Sequence, residues 1–163
     1  MFKREKGVTL VILVVIIIVL LIIAGISLSI GKDTIVKANL ESVKTNMLLI
    51  QAKAKEHVEN ANFKIGKITD VATITSIKSQ ELIGTAIEFP SEITTQGNNE
   101  EAYSLSAENM QTMGLTNLQE KASDYIVIYN VIDVSVDVIY KPGFTYEGNT
   151  YYRLSEMEAN INS

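Results

Sequence analysis

The stretch Val8–Ile30, VTLVILVVIIIVLLIIAGISLSI, governs how the rest of this 163-residue chain is read. It carries no charge, and apart from Thr9, Ala24, Gly25, Ser27 and Ser29 every residue in it is Val, Leu or Ile. As an α-helix it spans about 34 Å, against a bilayer hydrocarbon core of about 30 Å, so it is long enough to cross with some tilt. Its many β-branched residues make it a poor helix in water. In lipid no water satisfies backbone groups, and a lone spanning segment is helical whatever its side chains prefer. The solvent, rather than intrinsic propensity, specifies this helix.

The flanks orient it. Lys3, Arg4, Glu5 and Lys6 precede the run, and Lys32 and Asp33 follow it. The more positive side stays in the cytoplasm, which predicts a single-pass membrane protein with its N-terminus inside and residues 32–163 outside. A cleavable secretory signal, with Ser27-Leu28-Ser29 as its cleavage site, fits less well, because its apolar core runs to only about 7–15 residues. An uncleaved single-pass anchor carrying an extracytoplasmic binding domain is the plain alternative.

Past the run, Val36, Leu40, Val43, Met47, Ile50, Ala54, Val58 and Ala61 recur at steps of three and four, a helical stripe with charges off it. No Pro interrupts residues 8–65, and Gly66 is a stop signal. The spacing predicts one helix from about Val8 to about Phe63. Its weak point is the low-propensity alternation Gly25, Ser27, Ser29, Gly31. His57 falls on this helix with no partner that makes it catalytic.

The remainder reads as a mixed region followed by a sheet. Ser76–Ile83 is a short helix ended by Gly84, Pro90 breaks the next segment, and Gln96–Glu101 is a surface loop. Ser106 caps a second short helix that Gly114 closes. Tyr125–Tyr129 is an apolar strand. Ile132, Val134, Val136 and Val138 alternate with Asp133, Ser135 and Asp137 as a half-buried strand, with no Gly to mark the turn between the two. Glu147-Gly148-Asn149 is a tight hairpin signal, and Leu154–Asn160 is a terminal helical turn. A long helix followed by an antiparallel sheet predicts an α+β fold.

The start of the chain resembles type IV prepilins and pseudopilins. A short basic leader of Lys3, Arg4 and Lys6 ends in Gly7 and runs directly into Val8-Thr9-Leu10. The resemblance implies cleavage between Gly7 and Val8 by a prepilin peptidase and N-methylation of Val8. Gly suits a scissile bond because it allows close approach of extended backbone. Thr9 and Leu10 match the family's second and third mature positions. Val8 stands where Phe is usual, and Ile12 stands where the family has Glu, a residue thought to neutralise a neighbour's amino terminus. Without that carboxylate the resemblance points to a minor or tip subunit as readily as to a bulk one. It divides the chain into a leader (1–7), a transmembrane and filament-core helix (8–30), an amphipathic continuation (31–63) and an extracytoplasmic head (64–163) of pilin-like fold, the helix packed on a small C-terminal sheet. The ending Gly148–Leu154, GNTYYRL, resembles pilin-like proteins of Gram-positive bacteria. The implied partners are the membrane, the peptidase, other pilin subunits in a homo- or hetero-oligomeric filament at the cell surface, and indirectly an assembly ATPase and a platform protein.

Composition narrows the rest. The chain has no Cys and one His, which excludes disulfides, thiol chemistry and a multi-His metal site within one copy. A formal net charge of −5 argues against a nucleic-acid partner. Charge is nonetheless divided, with lysines dominating residues 32–67 and carboxylates dominating 68–163. No phosphate-binding glycine loop is present, and Gly66-Lys67 lacks both the upstream Gly and the following Ser or Thr. Asp133 and Asp137 are too far apart along a strand for a directly bonded acid pair and read as solvated. Asn98, Asn99, Glu100 and Glu101 offer oxygens to a calcium ion on spacing alone. Nothing in this inventory supports an enzyme, including a membrane-tethered hydrolase, or a cofactor.

Overall fold

The structure is a computed structural model. It describes residues 5–90 and 97–161, with side chains described for 13–21 and from 34 onward. The chain divides into two units, Met1–Leu40 and Glu41–Ser163. Helix α1, Glu5–Ile65, belongs to both.

In the second unit the stripe read from the sequence is the buried face of α1: Met47, Ile50, Ala54, Val58 and Ala61 expose nothing. The helix stops where Gly66 takes a φ of +47° and its N–H donates to the Asn62 carbonyl at 2.9 Å. The next elements are α2 (Val71–Glu81), β1 (Thr85–Ile87), β2 (Glu101–Ser104), α3 (Ala107–Thr112), a 3-10 segment (Thr116–Asp124), β3 (Tyr125–Asn130), β4 (Ser135–Tyr146), β5 (Asn149–Arg153) and α4 (Leu154–Asn160). The five strands form one sheet in the order β1-β2-β3-β4-β5, each antiparallel to its neighbours. The architecture is therefore α+β, helices with an antiparallel five-stranded sheet.

β3 is buried at every position, which explains its unbroken apolar sequence. On one face Tyr125 accepts a hydrogen bond from Asn46 of α1 at 3.5 Å, and Tyr129 donates to the Ile83 carbonyl at 3.1 Å. On the other, Ile126 and Ile128 cluster with Ala102 and Ile139, and Phe89 and Tyr152 pack against them. Residues two apart share a face, so the two sets sit on opposite sides of the sheet.

The turn from β3 to β4 differs from the sequence reading. The alternation expected from Ile132 onward starts only at Ser135, because the chain reverses over residues 131–134 without a glycine. Asn130 organises the turn instead: its Oδ1 accepts the N–H groups of Ile132 and Asp133 at 3.2 and 3.1 Å. Val134 is left at φ +50°, and Ile132 is 68% exposed. A β-branched residue with positive φ persists only where its surroundings over-determine it. Here α1 does so. Asn62 donates to the Val131 carbonyl at 2.7 Å, Lys55 to that of Val134, and Gln51 to that of Val136 at 2.8 Å.

The β4–β5 hairpin falls where the sequence places it, with Glu147 and Gly148 at φ +49° and +82°. Two central residues at positive φ make a type I′ turn, which prefers Asn-Gly. Glu147→Asn is expected to stabilise the protein by about 0.5–1 kcal/mol, read as a rise in the urea midpoint without a change in slope. Helix α3 is also as predicted. Ser106 and Asn109 form a reciprocal capping box, and Gly114 and Leu115 return their N–H groups to Gln111 and Met110 in a Schellman motif. Helix α2 begins earlier than expected, at Val71, because Asp70 caps it through the Thr73 N–H at 2.8 Å.

Candidate assembly surface

In the first unit every side chain of α1 from Leu13 to Leu21 is apolar and exposed, between 46% and 67%. A helix turns once in about 3.6 residues, so this stretch passes around the axis more than twice and leaves no polar face. A helix apolar on all sides belongs among lipids or other helices. Covering one such Val, Leu or Ile fully is worth about 1.5–3 kcal/mol, so leaving them all in water is untenable.

The residues of the expected leader motif fall largely among those whose side chains are not described. Lys3 and Arg4 are outside the described residues. Lys6, Gly7, Val8, Thr9, Leu10 and Ile12 fall within the bounds of α1, but their side chains are outside the described residues. Among the described residues no helix is long and apolar enough to cross a membrane.

The second unit holds a polar cluster that the sequence reading missed. The Arg153 side chain is 10% exposed. Its Nε donates to Asp137 Oδ2 at 2.8 Å, while Nη2 and Nη1 donate to the two oxygens of Glu100 at 2.8 and 3.2 Å. Asp137 also accepts from the Ser155 hydroxyl at 2.6 Å, and Glu100 from the Gly97 N–H at 2.7 Å. Burial pushes the Arg153 guanidinium down, but the hydrogen bonds of Glu100 and Asp137 more than compensate and hold it above its ordinary value. A cleft of about 270 Å³ runs beside the cluster, bordered by Gln51, Asn130 and Ser135 as well.

The expectation that Asp133 and Asp137 are both solvated is therefore corrected. Asp133 sits in the exposed turn and accepts from Asn130, whereas Asp137 is half-buried under Arg153. Three of the four residues suggested for calcium have oxygens in other contacts: the Asn98 backbone carbonyl accepts from Asn130, Glu100 pairs with Arg153, and Glu101 pairs with Lys78. Part of the charge division closes inside this unit, where Lys64 of α1 pairs with Glu81. His57 Nδ1 lies 2.9 Å from the Glu81 carbonyl, an acceptor to which a protonated Nδ1 donates. These contacts cross-link the fold.

Tyrosines carry further buried polar groups. Tyr103 and Tyr129 meet edge to face with centroids 5.1 Å apart. Burial, with Glu101 close by, pushes the Tyr103 phenol up to about 12, and burial pushes that of Tyr129 up as well, against the opposing bond to Ile83. A raised folded-state value means that the stability contribution is complete below the unfolded value near 10 and is lost as pH climbs through the folded one. Tyr103 and Tyr129 are expected to stay protonated at about pH 11 and to ionise only as the sheet unfolds. Absorbance of tyrosinate against circular dichroism of the sheet checks this; ionisation of both phenols with the sheet intact would contradict it.

Compared with protein-family models, with curated proteins and with solved structures, the chain matches none.

Proposed function

We propose that this chain is a structural subunit of the prepilin or pseudopilin type, cleaved after Gly7, methylated at Val8 and packed with other pilin subunits into a surface filament. One observation carries the reading: an all-round apolar helix, exposed from Leu13 to Leu21, continues a charge-free run that begins directly after a basic leader ending in Gly7. The rod rests first in lipid and then among its own kind. Lipid is as apolar as the rod, so close side-chain packing, rather than escape from water, drives the transfer. The α+β second unit, in which Asn46 and Gln51 of α1 bond to Tyr125 of β3 and Val136 of β4, is what supports reading it as a pilin-like head.

Mass spectrometry of the N-terminus tests the processing step. In cells that contain a prepilin peptidase the chain is expected to begin at N-methylated Val8, and Gly7→Ala to leave the leader attached. An intact leader on the wild-type chain in such cells would reject the proposal in favour of an uncleaved single-pass anchor.

A further inference from the structure

The side chains that join α1 to the sheet define two ends of the second unit. Asn46 donates to the Tyr125 hydroxyl at the start of β3, and Asn62 to the Val131 carbonyl just past its end. Between these contacts α1 advances about 24 Å and β3 about 20 Å, so the two run alongside in the same direction. β4 returns along them, from Val136 beside Gln51 to Tyr140 opposite Tyr125, and continues to Tyr146. The β4–β5 turn therefore lies at the end opposite Phe63 and the Gly66 turn.

Each end keeps residues that the isolated unit does not use. At one, Phe63 is 86% exposed, and Lys67 stands in the turn that the Ile68 N–H closes on the Ile65 carbonyl. At the other, Glu147 is exposed beside the half-buried Tyr146 and holds a φ of +49° in a turn that prefers Asn-Gly. Among the described residues neither Lys67 nor Glu147 is in an ion pair, whereas Lys64, Lys78 and Arg153 all are. A residue kept where another would fold better points to a use outside the fold.

We propose that these ends meet head to tail between copies of this chain, Phe63 against the Tyr146 ring and Lys67 against the Glu147 carboxylate of the next copy. The contact rests on the filament reading and deepens it, because it makes the chain a repeating subunit rather than a lone one at a tip. A joint between two different surfaces leaves each copy with one free end and so propagates. The aromatic pair supplies buried area. The charges set direction, since two like ends would place lysine against lysine or glutamate against glutamate.

Variants of the full chain in filament-forming cells test it. The chain has no Cys of its own. Ile68→Cys together with Asn149→Cys is expected to give a disulfide-linked ladder in sheared surface material after mild oxidation, and either change alone to stay monomeric. Lys67→Glu or Glu147→Lys is expected to lower incorporation about 10-fold or more, and the two together to restore it. Glu147→Asn is expected to lower incorporation while raising the urea midpoint, a split that a purely structural turn residue does not show. Sheared material that holds the double-Cys chain without a ladder would overturn this contact and leave the filament reading standing. So would dimers from one Cys alone, which mark a symmetric contact, or a paired charge swap that fails to rescue. Absence of the wild-type chain from that material would overturn both.

Discussion

On the proposed filament reading, Val19→Arg is expected to leave the chain in the membrane and to remove it from the polymer. Val19 lies at the middle of the charge-free run. An Arg at a spanning helix's centre costs about 2.5–3.5 kcal/mol, while each Val, Leu or Ile contributes about −0.3 to −0.6 kcal/mol, and the remaining run outweighs one Arg. In lipid the long side chain also snorkels toward the interface. Inside a bundle it has no such exit. Residues 8–30 of a neighbouring copy provide no carboxylate, and an unpaired buried charge costs several kcal/mol. Incorporation into sheared surface material is therefore expected to fall by at least about 100-fold, while resistance to alkaline extraction from membranes persists. Val19→Leu is expected to do neither. Wild-type incorporation of the Arg variant would mean that this helix does not pack in the polymer, and loss of both properties would mean that the run spans only marginally.

Tyr129→Ala is expected to cost the second unit about 4–6 kcal/mol. The ring is fully buried on central strand β3, meets Tyr103 edge to face and donates its hydroxyl to the Ile83 carbonyl. Truncation opens a cavity the size of most of a phenol, which costs about 3–5 kcal/mol, and strands the Ile83 carbonyl for about 1 kcal/mol more. Small domains hold about 5–15 kcal/mol in all, so this variant stands near the edge of unfolding. Tyr129→Phe keeps the packing and is expected to lose only about 1 kcal/mol. Urea titration of the full chain in micelles, followed by circular dichroism of the sheet, separates the two. An Ala variant within about 1 kcal/mol of wild type would show that β3 is not the centre of the core.

How much of this fold the sequence revealed depends on the range of each interaction. The stem stripe from Met47 to Ala61 was legible because helical periodicity is local, and Ser106 and Gly114 because caps act within a few residues. The β4–β5 turn was legible from Glu147-Gly148-Asn149 for the same reason. The β3–β4 turn was not, because Val134 holds its unusual backbone through Lys55 and Asn130, and Lys55 lies 79 residues away in the chain. Strands β1 and β2 are only three and four residues long and carry too little pattern to be read. The Arg153 cluster left no trace either. Glu100 lies 53 residues before it and Asp137 sixteen, and no spacing rule joins them before the sheet forms. For the proposed assembly surface the situation is reversed: the apolar run and the basic start before it are wholly a matter of sequence, and the structure adds that the side chains from Leu13 to Leu21 lie open on every side.

The most direct measurement places a photo-cross-linking amino acid at position 19 of the full chain and compares what it captures in two fractions. A rod that moves from lipid into a bundle is expected to give lipid adducts in the membrane fraction and adducts to the apolar helix of another pilin-type subunit in sheared surface material. Lipid adducts alone, with the chain absent from the sheared fraction, would contradict that transfer.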